Sequence, residues 1–224
     1  MNHYRLKQIE INLRSPALDQ RKEALDELAK CDSQLAIPIL ERLAQDNDFA
    51  IRCLAVMGLG NHQTETSFVI LKNILETEQD SSVLAEAANS LFEFGDLSII
   101  PLQQLFIRSD HWLVQQTIIS ILVDTQDPDL LLDIAIKAIA KPDQTTKESG
   151  ISALSRLLNT PLKQQAFDLL TQLAQDRNWR IRWRTAISLT ASSDPQARKL
   201  LAKLQQDENY RVVAAALEKA KDIR

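Results

Sequence analysis

Four arginines and two of the chain's three tryptophans fall within residues 177–185, RNWRIRWRT. Guanidinium groups beside indoles suit binding: the planar fork takes a carboxylate or phosphate bidentately, and an aromatic face attracts a cation. Catalysis needs a constellation, and none is legible. His3, His62 and His111 are far apart and fall where turns are expected. Phosphate loops, HExxH and calcium-loop patterns are absent from the sequence. The acidic pairs Glu76/Glu78 and Asp207/Glu208 fall in turns or at helix ends, where solvation or N-capping accounts for them. Cys53 reads either as a reactive thiol or as a small buried hydrophobe. No metal site is expected.

The element that positions this stretch is a repeat. RNWRIRWRTAISL recurs in degraded form as DNDFAIRCLAVMGL (46–59), QDSSVLAEAANSL (79–91), SDHWLVQQTIISIL (109–122), PDQTTKESGISAL (142–154) and ENYRVVAAALEKA (208–220), with LDQRKEALDEL at 18–28. One column runs Gln20, Ile51, Val83, Val114, Thr146, Ile181, Val212. Four residues on stand Ala24, Ala55, Ala87, Ile118, Gly150, Thr185, Ala216; four further, Leu28, Leu59, Leu91, Leu122, Leu154, Leu189, Ala220. Apolar positions at 0, +4 and +8 form one stripe of a helix, and a small middle residue admits a close neighbour. A second helical pattern separates successive units, as in SQLAIPILERLAQ (33–45) and PLKQQAFDLLTQLAQ (161–175). Pro128, Pro161 and Pro195 suit first helical turns, where a missing N–H costs nothing. The expectation is all-α: an α-solenoid of about seven helical pairs, one domain over 1–224.

On a helix the arginines separate. Ile181, Thr185 and Leu189 form the core stripe, and Trp179, Trp183 and Ile187 form a second stripe flanked by Arg180 and Arg184. Arg182 and Arg52 follow the aligned apolar residue, a repeat position, and Asp48 precedes it by three. Arg180 and Arg184 correspond to Ala50 and Leu54, so they serve a surface or are simply solvated. The second stripe carries Phe49, Trp112 and Tyr210 at the Trp179 position, and Phe49, Cys53 and Met57 along one unit. Either it lines a protein-binding groove, or it tucks into the junctions between helices. Aromatic, Met and Arg side chains are enriched at binding hot spots.

Leu- and Ala-rich, with four glycines and 5% aromatics, the composition is helical. Net charge is −4, but residues 1–112 carry 10 basic and 17 acidic side chains, and 177–224 carry 11 and 5. DNA binding recruits a broad basic face, so nucleic acid is not the expected partner. Cys31 and Cys53 form no CxxC, which fits a reducing cytoplasm. Neither a signal peptide nor a membrane span is expected. The oligomeric state is not legible.

The pairings Asp48/Ile51/Arg52 and Asn178/Ile181/Arg182 resemble the HEAT repeat. More narrowly, DNDFAIRCLAVMGLG, SDHWLVQQTIISIL and RNWRIRWRTAISL are similar to the phycobilisome-lyase type of HEAT-like repeat, over nearly the whole chain. That resemblance implies a concave, protein-binding groove built from these helices, with Arg52 and Arg182 bracing repeat junctions. It implies phycobiliprotein subunits as partners, and a role in phycobilisome degradation or in attaching or detaching bilin. No cofactor is implied beyond phycobilin as a bound substrate, with Cys53 then either a bilin-contacting thiol or a small buried hydrophobe. Any lyase-like activity rests on the resemblance alone. The alternatives are a HEAT adaptor or assembly factor unconnected with pigments, or a bilin lyase subunit proper.

Overall fold

The computed structural model describes residues 3–125 and 127–221, with side chains described over 4–125 and 127–218. The side chains of His3 and Ala220 lie outside the described residues. Fourteen α-helices and one 3-10 turn make up the described chain, which is seven helical pairs. The fold is an all-α solenoid, as the three columns aligned over seven units imply. Contacts divide it into two compact units, Met1–Ile118 and Ile119–Arg224, and each is taken by itself.

The first unit holds α1 (His3–Leu13), α2 (Leu18–Leu28), α3 (Ser33–Leu43), α4 (Phe49–Asn61), α5 (Glu65–Thr77), α6 (Ser81–Phe92), α7 (Ile99–Arg108) and most of α8 (Trp112–Leu122). Two layers result: α2, α4 and α6 pack side by side, and α3, α5 and α7 form the layer behind. The aligned columns make the seam between them. Ala24, Leu28, Ile51, Ala55, Leu59, Val83, Ala87, Leu91, Val114 and Ile118 are all buried. Gln20 breaks its column: it is exposed, and its Oε1 accepts the Ser15 hydroxyl. Side-chain caps start the helices as their sequences require. Asp32, Asp48, Thr64 and Asp80 each accept a backbone N–H from the first turn that follows. Between α6 and α7 the 3-10 turn opens on Gly95 at φ +62, a conformation that a Cβ would strain.

The second unit holds the end of α8, then α9 (Pro128–Ala140), α10 (Gln144–Leu157), α11 (Lys163–Leu173), α12 (Trp179–Thr190), α13 (Pro195–Leu204) and α14 (Tyr210–Lys221). Here α10, α12 and α14 form one layer, backed by α11 and α13, with α9 against α10. Thr146, Gly150, Leu154, Ile181, Thr185, Leu189, Val212 and Ala216 fill the seam. Gly150 is there for proximity: an added Cβ would sit 2.7 Å from the Ala138 Cβ and 2.9 Å from the Ala135 carbonyl. Pro128 and Pro195 open α9 and α13 as expected. Pro161 does not open a helix. It lies in the turn before α11, whose first helical residue is Lys163.

Candidate functional site

Two arginines hold the repeat junctions in the same way. Arg182, 8% exposed, donates from Nη1 to the carbonyls of Asp176 (2.8 Å) and Arg177 (3.2 Å). Its Nε and Nη2 reach the two Asp207 carboxylate oxygens at 2.7 and 2.9 Å, and Nη2 also reaches Glu208 at 3.1 Å. Arg52 repeats the pattern on the carbonyls of Asp46 (2.8 Å) and Asn47 (3.2 Å), and on Glu78 at 2.8 and 3.4 Å. A rigid fork can tie two turns at once, which a point charge cannot. Hydrogen bonds and charge from Arg182 hold the Asp207 carboxyl below the usual range, and Asp207 raises the guanidinium in return. Burial alone would raise Glu78, but backbone N–H donors and Arg52 bring it below its ordinary value. Asp48 caps α4 through the N–H of Ala50.

Sequence reasoning left two parts of this device unread. Glu78 and Asp207 are more than solvated or capping acids: they are the carboxylates of the braces, 26 and 25 residues after their arginines. Arg21 and Gln115 occupy the same repeat position. Like Arg52 and Arg182, each donates to the carbonyl six residues earlier, that of Ser15 and Ser109 respectively. The signal was available, since both follow an aligned column residue, but neither has the Asp-x-x-Ile-Arg spelling.

Arg180 and Arg184 have a specific partner. They converge on Glu148 of α10, itself 7% exposed: Arg180 Nε donates to Oε1 at 2.9 Å and Arg184 Nη2 to Oε2 at 3.2 Å. Gln144 donates to Glu148 Oε1 at 2.8 Å, and Asn178 donates to Gln144 at 3.2 Å. Burial pushes Glu148 up, but these three donors outweigh it and leave the carboxyl below its ordinary range. In the sequence Glu148 occupies Trp183's own column one repeat earlier, a position that varies freely, so nothing marked it as a partner.

Above this clasp the aromatic residues and arginines interleave. The Arg184 guanidinium carbon lies 4.8 Å from the Trp183 ring centroid, and that of Arg211 lies 5.1 Å from Trp179 and 5.6 Å from Tyr210. Arg211 Nε also donates to the Tyr210 hydroxyl at 3.1 Å. Trp179, Trp183 and Ile187 are half-buried along α12, and Tyr210 is 73% exposed. Arg211 was not among the expected site residues. Its partner Trp179 lies on another helix, a pairing that no local spacing reveals.

The first unit places the corresponding stripe on α4 differently. Phe49 is 51% exposed and Met57 is exposed, with Cys53 half-buried between them. Burial, with Glu86 and Asp80 nearby, pushes the Cys53 thiol up to about 11, and burial also raises Glu86. Trp112 opens α8 with its ring exposed and stacked on His111, the centroids 6.0 Å apart. The expected groove residues lie on α4 and α8 in the first unit and on α12 and α14 in the second. His62 is no ligand: it is buried, with Nδ1 3.0 Å from the Ser33 hydroxyl and Nε2 3.2 Å from the Leu28 carbonyl. No group of three His, Cys, Asp or Glu side chains gathers to hold a metal among the described residues. None of the described helices is long and apolar enough to cross a membrane.

The family model for HEAT repeats covers residues 7–92 and 136–220, well over half of the chain. The chain belongs to the HEAT-repeat family. Among curated proteins, none matches the sequence significantly. Among solved structures it is similar to YibA of E. coli, with a TM-score of 0.64 at 15% identity over 100% of this chain and 83% of that one. It is similar to Kap121p, with a TM-score of 0.54 at 17% identity over 100% of this chain and 29% of that one. The CpcE–CpcF complex of phycocyanin lyase from Nostoc gives 0.48 at 19% identity, over 98% and 88%. At these identities the first two likenesses speak to fold, and the third carries no argument about function.

Proposed function

We propose that this HEAT-repeat protein is a docking scaffold whose partner is a phycobiliprotein subunit. The observation that carries the docking role is the interleaved face on α12 and α14, where Arg184 lies over Trp183 and Arg211 over Trp179 and Tyr210. Rigid aromatic rings beside guanidinium groups present contact area and donors at low entropic cost, which is the composition of binding hot spots. The choice of partner is supported by the resemblance of residues 46–60, 109–122 and 177–189 to the phycobilisome-lyase type of repeat. On this reading the protein assists phycobilisome degradation, or helps bilin attach to or leave its target. Phycobilin enters as the partner's chromophore, and no cofactor of the protein's own is called for.

The test is size-exclusion chromatography of the protein with phycocyanin and with allophycocyanin at tens of micromolar. Co-elution is expected, weakened about tenfold or more by Trp183→Ala, the loss typical of a hot-spot aromatic. Absorbance of the bilin during the incubation separates binding from chromophore chemistry. If neither phycobiliprotein co-elutes, the pigment connection is lost and the scaffold is a HEAT adaptor for another complex. Co-elution that Trp183→Ala leaves intact would move the interface elsewhere.

A further inference from the structure

The α12–α14 face has a charge excess that its own carboxylate does not cancel. Two guanidinium groups share the single Glu148 carboxylate, and Arg211 adds a third with the Trp179 and Tyr210 rings as its neighbours. A guanidinium carries five N–H donors in a fixed fork. Arg180 spends Nε on Glu148 and Arg211 spends Nε on Tyr210, so among the described residues the terminal nitrogens of both exposed side chains are open to a further acceptor. Glu148 sets the direction of two of these forks: it is buried, and Arg180 and Arg184 both turn onto its carboxylate.

We infer that this face recognises an acidic protein segment, with Asp or Glu carboxylates on Arg180 and Arg211 and an apolar side chain against Trp183 and Ile187. The inference rests on the docking reading above and gives its partner a chemistry. Carboxylates match the guanidinium fork bidentately, and at these exposed side chains the pairing weakens as salt rises. A nucleic acid fits the same cations less well. A long polyanion would gather many phosphate contacts, and three arginines supply few. A short acidic segment needs only the local excess.

Fluorescence anisotropy with a short fluorescein-labelled peptide of repeated Glu-Glu-Leu-Ala tests this on the full chain. Its Lys-for-Glu counterpart and a thymidine oligonucleotide of equal length serve as the other probes. The acidic peptide is expected to bind, with affinity falling as salt rises, and the lysine peptide is not. Arg211→Gln and Arg180→Gln together weaken the acidic peptide about tenfold, with the far-ultraviolet dichroism unchanged. Lys199→Gln on α13 removes a charge away from this face and leaves binding within about twofold. Equal binding of both peptides, tighter binding of the oligonucleotide, or equal weakening by Lys199→Gln overturns the inference. The docking reading fails separately. Phycobiliprotein capture that is sensitive to Trp183→Ala but not to the arginine changes keeps that reading and sinks this one. Arginine-dependent peptide binding without phycobiliprotein capture does the reverse.

Discussion

The faces of α4 and α12 start from one repeat position and end in opposite chemistry. On α4, Phe49, Cys53 and Met57 make an apolar stripe with Glu86 nearby, and burial leaves both the thiol and the acid harder to ionise. On α12, Trp179, Trp183 and Ile187 make the corresponding stripe, but Arg180, Arg184 and Arg211 surround it and one buried acid orders them. The helices and their braces are alike in both units. The repeat fixes where a side chain stands, and the residue placed there decides what the face attracts. A solenoid can therefore vary its surface from unit to unit without touching its seam.

The largest expected effect comes from the braces, which differ in burial although they share a pattern. Arg182→Ala strands the Asp207 carboxylate and two carbonyls, and a broken buried pair costs about 3 kcal/mol or more. Arg52→Ala is expected to cost less, about 1–2 kcal/mol, because Arg52 and Glu78 are partly hydrated. Urea midpoints of the two variants check this, and equal losses would break the contrast in burial. Glu148→Gln comes next. It leaves two guanidinium groups facing a neutral amide, at a cost of about 1–3 kcal/mol, and a substitution with no effect would mean that the clasp is ornamental.

Acid sharpens the comparison of carboxylates. Asp207, Glu78 and Glu148 are all held below their ordinary range in the folded protein. A depressed carboxyl contributes stability above its unfolded pKa, about 4, and that contribution is lost as pH falls through the lower folded value. From these groups stability is expected to be flat between neutral pH and about 5 and to fall below about 4. Glu148→Gln should shallow that acid limb. Glu86, raised by burial, works in the opposite direction: ionising it in the folded state is harder, so it opposes stability as pH rises through its range.

The smallest effect is expected on α4. Phe49→Ala and Met57→Ala remove exposed side chains and should change the urea midpoint by less than about 1 kcal/mol each. Cys53 should react slowly with iodoacetamide at pH 8, since at a pKa of about 11 roughly one thiol in a thousand is thiolate. Rapid labelling there would make α4 a reactive face and remove the difference from α12.

What the sequence determined by itself was periodicity. The column Leu28, Leu59, Leu91, Leu122, Leu154 and Leu189 sits in the core because a helix returns the same face every three to four residues, which a local pattern records. Pro128 and Pro195 at helix starts were legible for the same reason, because the signal lies within one turn. Pro161 was misplaced because a proline suits a turn before a helix as well as its first position. The site was legible only in part. RNWRIRWRT announced arginines and tryptophans, and helical spacing separated Arg182 from Arg180 and Arg184. Tertiary structure alone decided that Arg182 closes on Asp207, that Glu148 gathers Arg180 and Arg184 from 32 and 36 residues away, and that Arg211 covers Trp179. Those pairings depend on which helices lie side by side and on how far each side chain reaches across the gap.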